Sequence, residues 1–271
     1  MSSVTLSAGV RQNLLSLQST ADQLSVTQNR LATGKKVNSA LDNANEYFTS
    51  QALDNRANSL SSLLDGITNG VNTIQAANNG ISAITKLVQS AQSLITQAQQ
   101  TTDTTVRASL ATQYGATLTQ IDQLAGDSGY NGINLLSGNS LTLTLNETGT
   151  SSATISGVTD TSAGLSISGA SSAWAGDTDI AAAATQLTAA LTTLQSQSAS
   201  LSSSLSTIQI RSDFTKATIN TLQTGADSLV AADSNEEGAN LLALQTQQSL
   251  STTALSLSAQ SDKNVLKLFG G

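Results

Sequence analysis

The chain has 271 residues, a net charge of −7, 3% aromatic residues and no proline, cysteine or histidine, where about 13 prolines would be ordinary. This composition excludes disulfides, Cys or His metal sites and every nucleophile that relies on histidine or cysteine. An acidic chain with few rings to stack on bases is also a poor partner for nucleic acid.

The N-terminus, MSSVTLSAGVRQNLLSLQ, has no basic segment followed by a solid apolar run, so a signal peptide for general secretion is not expected. No stretch approaches 18 uninterrupted apolar residues, so no membrane partner is expected either.

The first element is a helix. Leu14, Leu17, Ala21, Leu24 and Leu31 follow alternating steps of three and four, with Gln28 filling one position, which is a heptad seam. It stops at Thr33-Gly34-Lys35-Lys36, a glycine and cations at a helix end. The second helix is longer. Leu53, Ala57, Leu60, Leu64, Ile67, Val71 and Ile74 keep the alternation, and Ala77, Ile81, Ile84, Val88, Ala91, Ile95 and Ala98 resume it after one extra step of three, a stammer. A helix of that length, roughly 70 Å at 1.5 Å per residue, must pack along other long helices. Gly66, Gly70 and Gly80 weaken it locally, each by about 1 kcal/mol relative to alanine.

A break at 101–105 precedes a shorter helix over about 104–125, with Val106, Leu110, Leu118, Ile121 and Leu124 apolar. The period then changes to two: Leu141, Leu143 and Leu145 alternate with threonine and read as a strand. Ala153, Ile155 and Val158, then Leu165 and Ile167, suggest one or two partner strands. The polar composition of 137–178 predicts a surface excursion rather than a core. Helical spacing returns with Ile180, Ala183, Leu187, Leu191, Leu194, Leu201, Leu205 and Ile208, and an interruption is expected at Thr224–Asp227. The last helix, from Asn235, carries Leu241, Leu244, Ala254, Leu257, Val265 and Leu268.

The fold class is therefore mainly α: long antiparallel helices forming a coiled-coil bundle from both termini, with a small β-hairpin in the middle. All eleven Lys and Arg lie at or before Arg107 or at or after Arg211. Ends alike in composition around a different middle suggest that the termini pair. No catalytic constellation is visible. Glu236 and Glu237 are adjacent and so face different ways on a helix. Asp177 and Asp179 stand where acids favour a helix start. No glycine-rich segment has the lysine and spacing of a phosphate loop. The residues alone describe a self-associating interaction protein with no cofactor and no enzymatic role.

Three strings go further. Arg30-Leu31-Ala32-Thr33-Gly34-Lys35-Lys36-Val37-Asn38-Ser39-Ala40, with Asp42-Asn43-Ala44, resembles the segment of bacterial flagellin that joins its first two helices. Gly129-Tyr130-Asn131-Gly132-Ile133-Asn134-Leu135-Leu136 resembles that family's entry to its β-hairpin. Ala232 through Asn240, and the ending Asn264-Val265-Leu266-Lys267-Leu268-Phe269, resemble its final helix. The likeness covers about 1–136 and 178–269, and its short middle is similar to alphaproteobacterial flagellins.

The resemblance implies a filament subunit of the bacterial flagellum, extracellular and without a cleaved signal peptide. It also implies passage through the flagellar export apparatus with a flagellin chaperone, and contacts with the filament cap, the hook–filament junction and other copies of itself. It assigns 1–45 and 227–271 to an inner tube, 46–136 and 179–226 to a helical shell, and 137–178 to the hairpin region. Leu14, Leu17, Leu24 and Leu31 are expected to pack against Leu250, Ala254, Leu257, Val265 and Leu268, and Asn38, Ser39 and Asp42 to fix the turn between layers. The acids Asp227, Asp233, Glu236 and Glu237 are expected to meet cations or helix ends on assembly. A hook–filament junction protein, which shares the terminal motifs, and an intracellular coiled-coil scaffold are the alternatives.

Overall fold

A computed structural model describes the backbone of residues 8–270 and the side chains of residues 8–264. Five α-helices dominate: α1 Ala8–Thr33, α2 Ala44–Gln99, α3 Thr104–Asp127, α4 Asp177–Val230 and α5 Ser234–Gly270. Between α3 and α4 lies one antiparallel pair, β1 Leu141–Thr144 and β2 Ser152–Ile155, in register Leu141↔Ile155 to Thr144↔Ser152. The chain divides into two compact units: residues 1–55 with 221–271, and residues 56–220.

The unit of residues 56–220 has a closed core. Along α2 the heptad positions Ile67, Ile74, Ala77, Ile81, Ile84, Val88, Ala91, Ile95 and Ala98 are all buried, and the stammer leaves the helix continuous. They share one cluster with Leu110, Tyr114, Leu118 and Ile121 of α3 and Ile180, Leu187, Leu194, Leu201 and Ile208 of α4. Leu141, Leu143, Ile155, Leu165, Ile167 and Trp174 belong to the same cluster. The middle segment is thus part of the core, which corrects the expected surface excursion. Its hydroxyl-rich residues line the outer face of the strands while its few large side chains point inward, so average polarity concealed them. Leu165 and Ile167 form no second partner strand. They are tucked in by a turn in which Leu165 N–H donates to Thr161 O and Ile167 N–H to Ser162 O.

Two of the α2 glycines have a packing reason. A Cβ on Gly70 would lie 2.5 Å from Leu143 Cδ1, and one on Gly80 would collide with Ser128 and Leu136. Helical glycine costs about 1 kcal/mol, and here it admits the hairpin and the post-α3 segment against α2.

Arg107 ties the end of α2 to the starts of α3 and α4. Its buried guanidinium donates to Ala98 O, Thr101 O and Ala175 O and pairs with Asp177. Asp103 caps α3 by accepting from Thr105 N–H at 2.8 Å and Val106 N–H at 3.3 Å. Tyr114 packs on the fully buried Trp174 with ring centroids 4.9 Å apart.

Asp160 is 0% exposed, and neither carboxylate oxygen has a hydrogen-bond partner. Burial raises its pKa; the neighbouring Gln197 side chain offsets part of the rise without reaching hydrogen-bond geometry.

The expected interruption at Thr224–Asp227 does not occur, and α4 runs unbroken to Val230. Gly225 packs against Leu53, whose Cδ1 would lie in ordinary van der Waals contact, 3.6 Å from a Cβ placed there, so packing overrides its low propensity. The break comes at 231–233, where the α1–α2 turn holds the backbone: Lys36 N–H donates to Val230 O at 2.7 Å and Ala232 N–H to Gly34 O at 2.9 Å.

Candidate assembly surface

The unit of residues 1–55 and 221–271 is built on one antiparallel pair, α1 against α5. Polar pins fix its register. Asn13 donates to Ser258 Oγ at 3.1 Å, and Arg30 pairs with Glu237 at 3.2 Å. Along α1 the covered positions are Val10, Asn13, Leu17, Thr20, Leu24, Thr27 and Arg30; along α5 they are Glu237, Leu241, Leu244, Gln248, Ser251, Leu255 and Ser258. The α5 stripe alternates steps of four and three throughout, and the α1 stripe alternates three and four as far as Thr27, with Arg30 a further three residues on; in both, leucines are interspersed with small or polar residues. Thr20 turns its hydroxyl back to Ser16 O at 2.9 Å, which leaves its methyl for the seam.

The expected contact residues divide between this seam and its outside. Leu17 and Leu24 lie in the seam, half-buried. Leu14 and Leu31 stand at its edge, 37% and 39% exposed. Leu250 and Leu257 point away from it, 66% and 69% exposed, and Ala254 is exposed with them. The stripe of Leu250, Ala254 and Leu257 precedes the seam positions Ser251, Leu255 and Ser258 by one residue, a rotation of about 100° at 3.6 residues per turn. The end pins and the small residues at Thr20, Ser251 and Ser258 select the other face. Val265 and Leu268 fall on α5, but their side chains lie outside the described residues.

The turn residues do come together. Gly34 ends α1 with φ +68°, the left-handed conformation a helix C-terminus favours. Asp42 accepts from Asn38 N–H at 3.0 Å, Ser39 N–H at 2.9 Å and Ser39 Oγ at 3.2 Å, while the Asn38 amide donates to Lys35 O at 3.0 Å. The two backbone N–H groups, Asn38 first, hold the Asp42 carboxyl below its ordinary pKa. Val37 beside them is buried and was given no role by sequence reasoning, since one valine among polar residues carries no period. Of the expected acids, Glu237 meets Arg30 within the chain, and Asp233 caps α5 through Asn235 N–H at 2.8 Å and Glu236 N–H at 3.4 Å.

The result is a helix pair with apolar surface left over. Leu14, Leu15, Val26 and Leu31 on α1, Leu41 and Phe48 near the turn, and Leu242, Leu250 and Leu257 on α5 are all exposed. Leu250 and Leu257, one heptad apart, are the most exposed of those on α5 apart from Leu242, which matches Leu250 at 66%. Among the described residues, no group of three or more Asp and Glu could hold a metal ion, and no helix is long and apolar enough to cross a membrane.

Long helices from both termini, joined by a pinned turn and carrying an incompletely covered seam, define a helical subunit built to associate. Residues 7–141 match the bacterial flagellin N-terminal helical region, and residues 177–269 match the bacterial flagellin C-terminal helical region. The chain is 30% identical over 274 residues to flagellin FljM of Caulobacter vibrioides, covering 99% of each. It is 30% identical over 286 residues to a flagellin of Brucella melitensis, covering all of both. A crystal structure of Bacillus cereus flagellin aligns with a TM-score of 0.48 at 19% identity, over 54% of this chain and 86% of that one. The chain belongs to the bacterial flagellin family. It is a structural subunit of the flagellar filament rather than an enzyme, and nothing in these matches favours a junction protein or an intracellular scaffold.

Proposed function

We propose that the open faces of α1 and α5 are the contacts through which copies of this chain polymerise. The single observation behind this reading is that Leu250 and Leu257 stay 66% and 69% exposed although α5 already has α1 as its neighbour. Burying a leucine contributes about 1.5–3 kcal/mol, and a polymer repeats that gain in every subunit. Leu14 and Leu31 extend the same surface on α1, with Leu17 and Leu24 shared between the intrachain seam and its edge. Ala254 continues it along α5, and the resemblance assigns Val265 and Leu268, later in the same helix, to the same contacts. Asn38, Ser39 and Asp42 then hold the α1–α2 turn that the resemblance places between the filament's layers.

In this reading 1–45 and 227–271 form the inner tube, 46–136 and 179–226 the surrounding shell, and 137–178 its hairpin region. The subunit reaches the filament tip through the flagellar export apparatus, held by a flagellin chaperone. It polymerises beneath the cap on a filament that starts at the hook–filament junction. A chain without proline or cysteine suits that route, because refolding at the tip meets neither slow prolyl isomerisation nor disulfide exchange.

The test is the double variant Leu250→Gln, Leu257→Gln. Its monomer should melt within error of the parent, because exposed substitutions change stability by about 0.5 kcal/mol or less. Its sedimentable polymer should be lost. Filaments formed at parental yield would remove these leucines from the interface.

A further inference from the structure

The sequence contains three Asn-Gly pairs: Asn69-Gly70, Asn79-Gly80 and Asn131-Gly132. The fold treats them differently. The first two lie inside α2, where helical geometry fixes the asparagine backbone and each glycine N–H donates within the helix. Gly70 and Gly80 are also buried, pressed by Leu143 and by Ser128 and Leu136.

Asn131 and Gly132 instead form the tip of a tight turn, both exposed, with φ +49° and +80°. The turn is closed on either side by Tyr130 N–H to Ile133 O at 2.9 Å and Ile133 N–H to Tyr130 O at 3.0 Å. Nothing lies within 4 Å of a Cβ placed on Gly132. Neither the Asn131 side chain nor the Gly132 N–H is among the hydrogen bonds of the described residues.

We propose that Asn131 is a site of spontaneous deamidation in the folded protein, and that Asn69 and Asn79 are shielded from it. The Gly132 nitrogen attacks Asn131 Cγ after rotation about the Asn131 Cα–C bond, which requires the two Tyr130–Ile133 backbone bonds of this exposed turn to loosen, where the same rotation at Asn69 or Asn79 requires α2 to unwind. The new N–Cγ bond forms, the glycine N–H proton passes to solvent, and the Cγ–Nδ2 bond breaks to release ammonia. Water then opens the five-membered imide. Addition at Cγ restores the backbone and leaves aspartate. Addition at the Asn131 backbone carbonyl carbon leaves isoaspartate, with the chain now running through Cγ. Either product adds one negative charge, and isoaspartate lengthens the turn by one backbone atom between Tyr130 and Ile133. That turn leads directly into Leu135 and Leu136, which are 1% and 0% exposed. The chemistry therefore marks the age of a subunit at a place coupled to its core.

The full-length folded protein is incubated in mildly alkaline buffer, and the three asparagines are followed by fragment-ion mass spectrometry and isoaspartyl methyltransferase labelling. Conversion at Asn131 should exceed that at Asn69 and Asn79 at least tenfold, the ratio that about 1.4 kcal/mol of helix opening imposes. In denaturant the three should converge. Asn131→Ser should remove the folded-state signal. An unmodified Asn131 in folded protein, while the denatured chain converts at all three positions, would overturn the proposal. So would equal conversion at all three positions before denaturation.

Discussion

The two units use one sequence code and reach opposite ends. In residues 56–220, heptad positions on α2 and α4 carry isoleucine, leucine, valine and alanine, and α3 and the hairpin segment add further layers, so Ile74, Ile84, Leu187 and Leu194 reach 0% exposure. In residues 1–55 and 221–271, the α1–α5 stripes are as regular, but leucine alternates with Thr, Ser, Gln and Asn. Two helices cannot enclose each other, because each covers only a stripe of its neighbour. A heptad repeat thus specifies direction and register; closure depends on how many layers share it and how large its residues are. The first unit is closed within the chain, and the second leaves Leu250 and Leu257 exposed, the surface proposed above for association.

The largest test of this contrast is truncation. Deleting residues 241–271 removes most of α5 and should abolish polymer while leaving the core of residues 56–220 intact. The single tryptophan, Trp174, reports on that core. Its fluorescence and cooperative unfolding should survive in the truncated monomer. Filaments from the truncated chain, or loss of the Trp174 transition, would each break the division.

Point truncations sharpen it. Leu194→Ala removes a 0% exposed side chain and should cost about 2–5 kcal/mol in denaturant unfolding of the monomer. Leu250→Ala should change the same measurement by no more than about 0.5 kcal/mol, its effect appearing only in polymer yield. Equal losses from the two would mean that α5 is already closed within the chain.

The same contrast decides how much was legible in the sequence. Wherever one period ran through many layers, as from Ile67 to Ala98, spacing identified both the helix and its buried face. In the α1–α5 pair, spacing identified the helices but not the face on α5. Leu250 and Leu257 are larger than Ser251 and Ser258, yet the pins Asn13–Ser258 and Arg30–Glu237 place the smaller residues inward. The hairpin segment was least legible. Its inward residues are held by left-handed turns at Ser166, Ser172, Ala173 and Trp174, with φ between +47° and +58°. None of these is glycine, so no residue type announced the reversal. Asn38, Ser39 and Asp42 were singled out by the resemblance of their string rather than by any period, and the structure brings them together because an aspartate a few residues after exposed N–H groups closes a turn locally.

Charge gives each unit a pH response of its own. Asp160, buried in the unit of residues 56–220, has its pKa raised by loss of water. Folding therefore favours the protonated form. Its contribution is fully present below the ordinary carboxylate pKa and is lost as pH rises through the raised value. Asp160→Asn keeps the shape and removes the charge. Relative to the parent it should gain stability as pH rises above the ordinary carboxylate pKa, because no charge then has to form in the core, and it should flatten the pH slope of the Trp174 transition. An unchanged slope would mean that water reaches the carboxylate.

Asp42 gives the smallest effect, with the opposite sign. It is exposed, so solvent screening keeps its contribution modest. Its pKa is lowered because Asn38 and Ser39 N–H groups donate to the ionised carboxylate. The stabilisation of the turn is therefore fully present above the ordinary value and is lost as pH falls through the lowered one. Between those regimes, acid should relax the α1–α2 turn while easing the strain of Asp160 in the other unit. The amide resonances of Asn38 and Ser39 are the direct reporters. Both should titrate together, with a midpoint below the ordinary Asp value of 3.8, and Asp42→Asn should abolish the transition. A shared midpoint at the ordinary value would show that the carboxylate is merely near these amides, and that Val37 packing and the Lys36–Val230 backbone bond hold the turn by themselves.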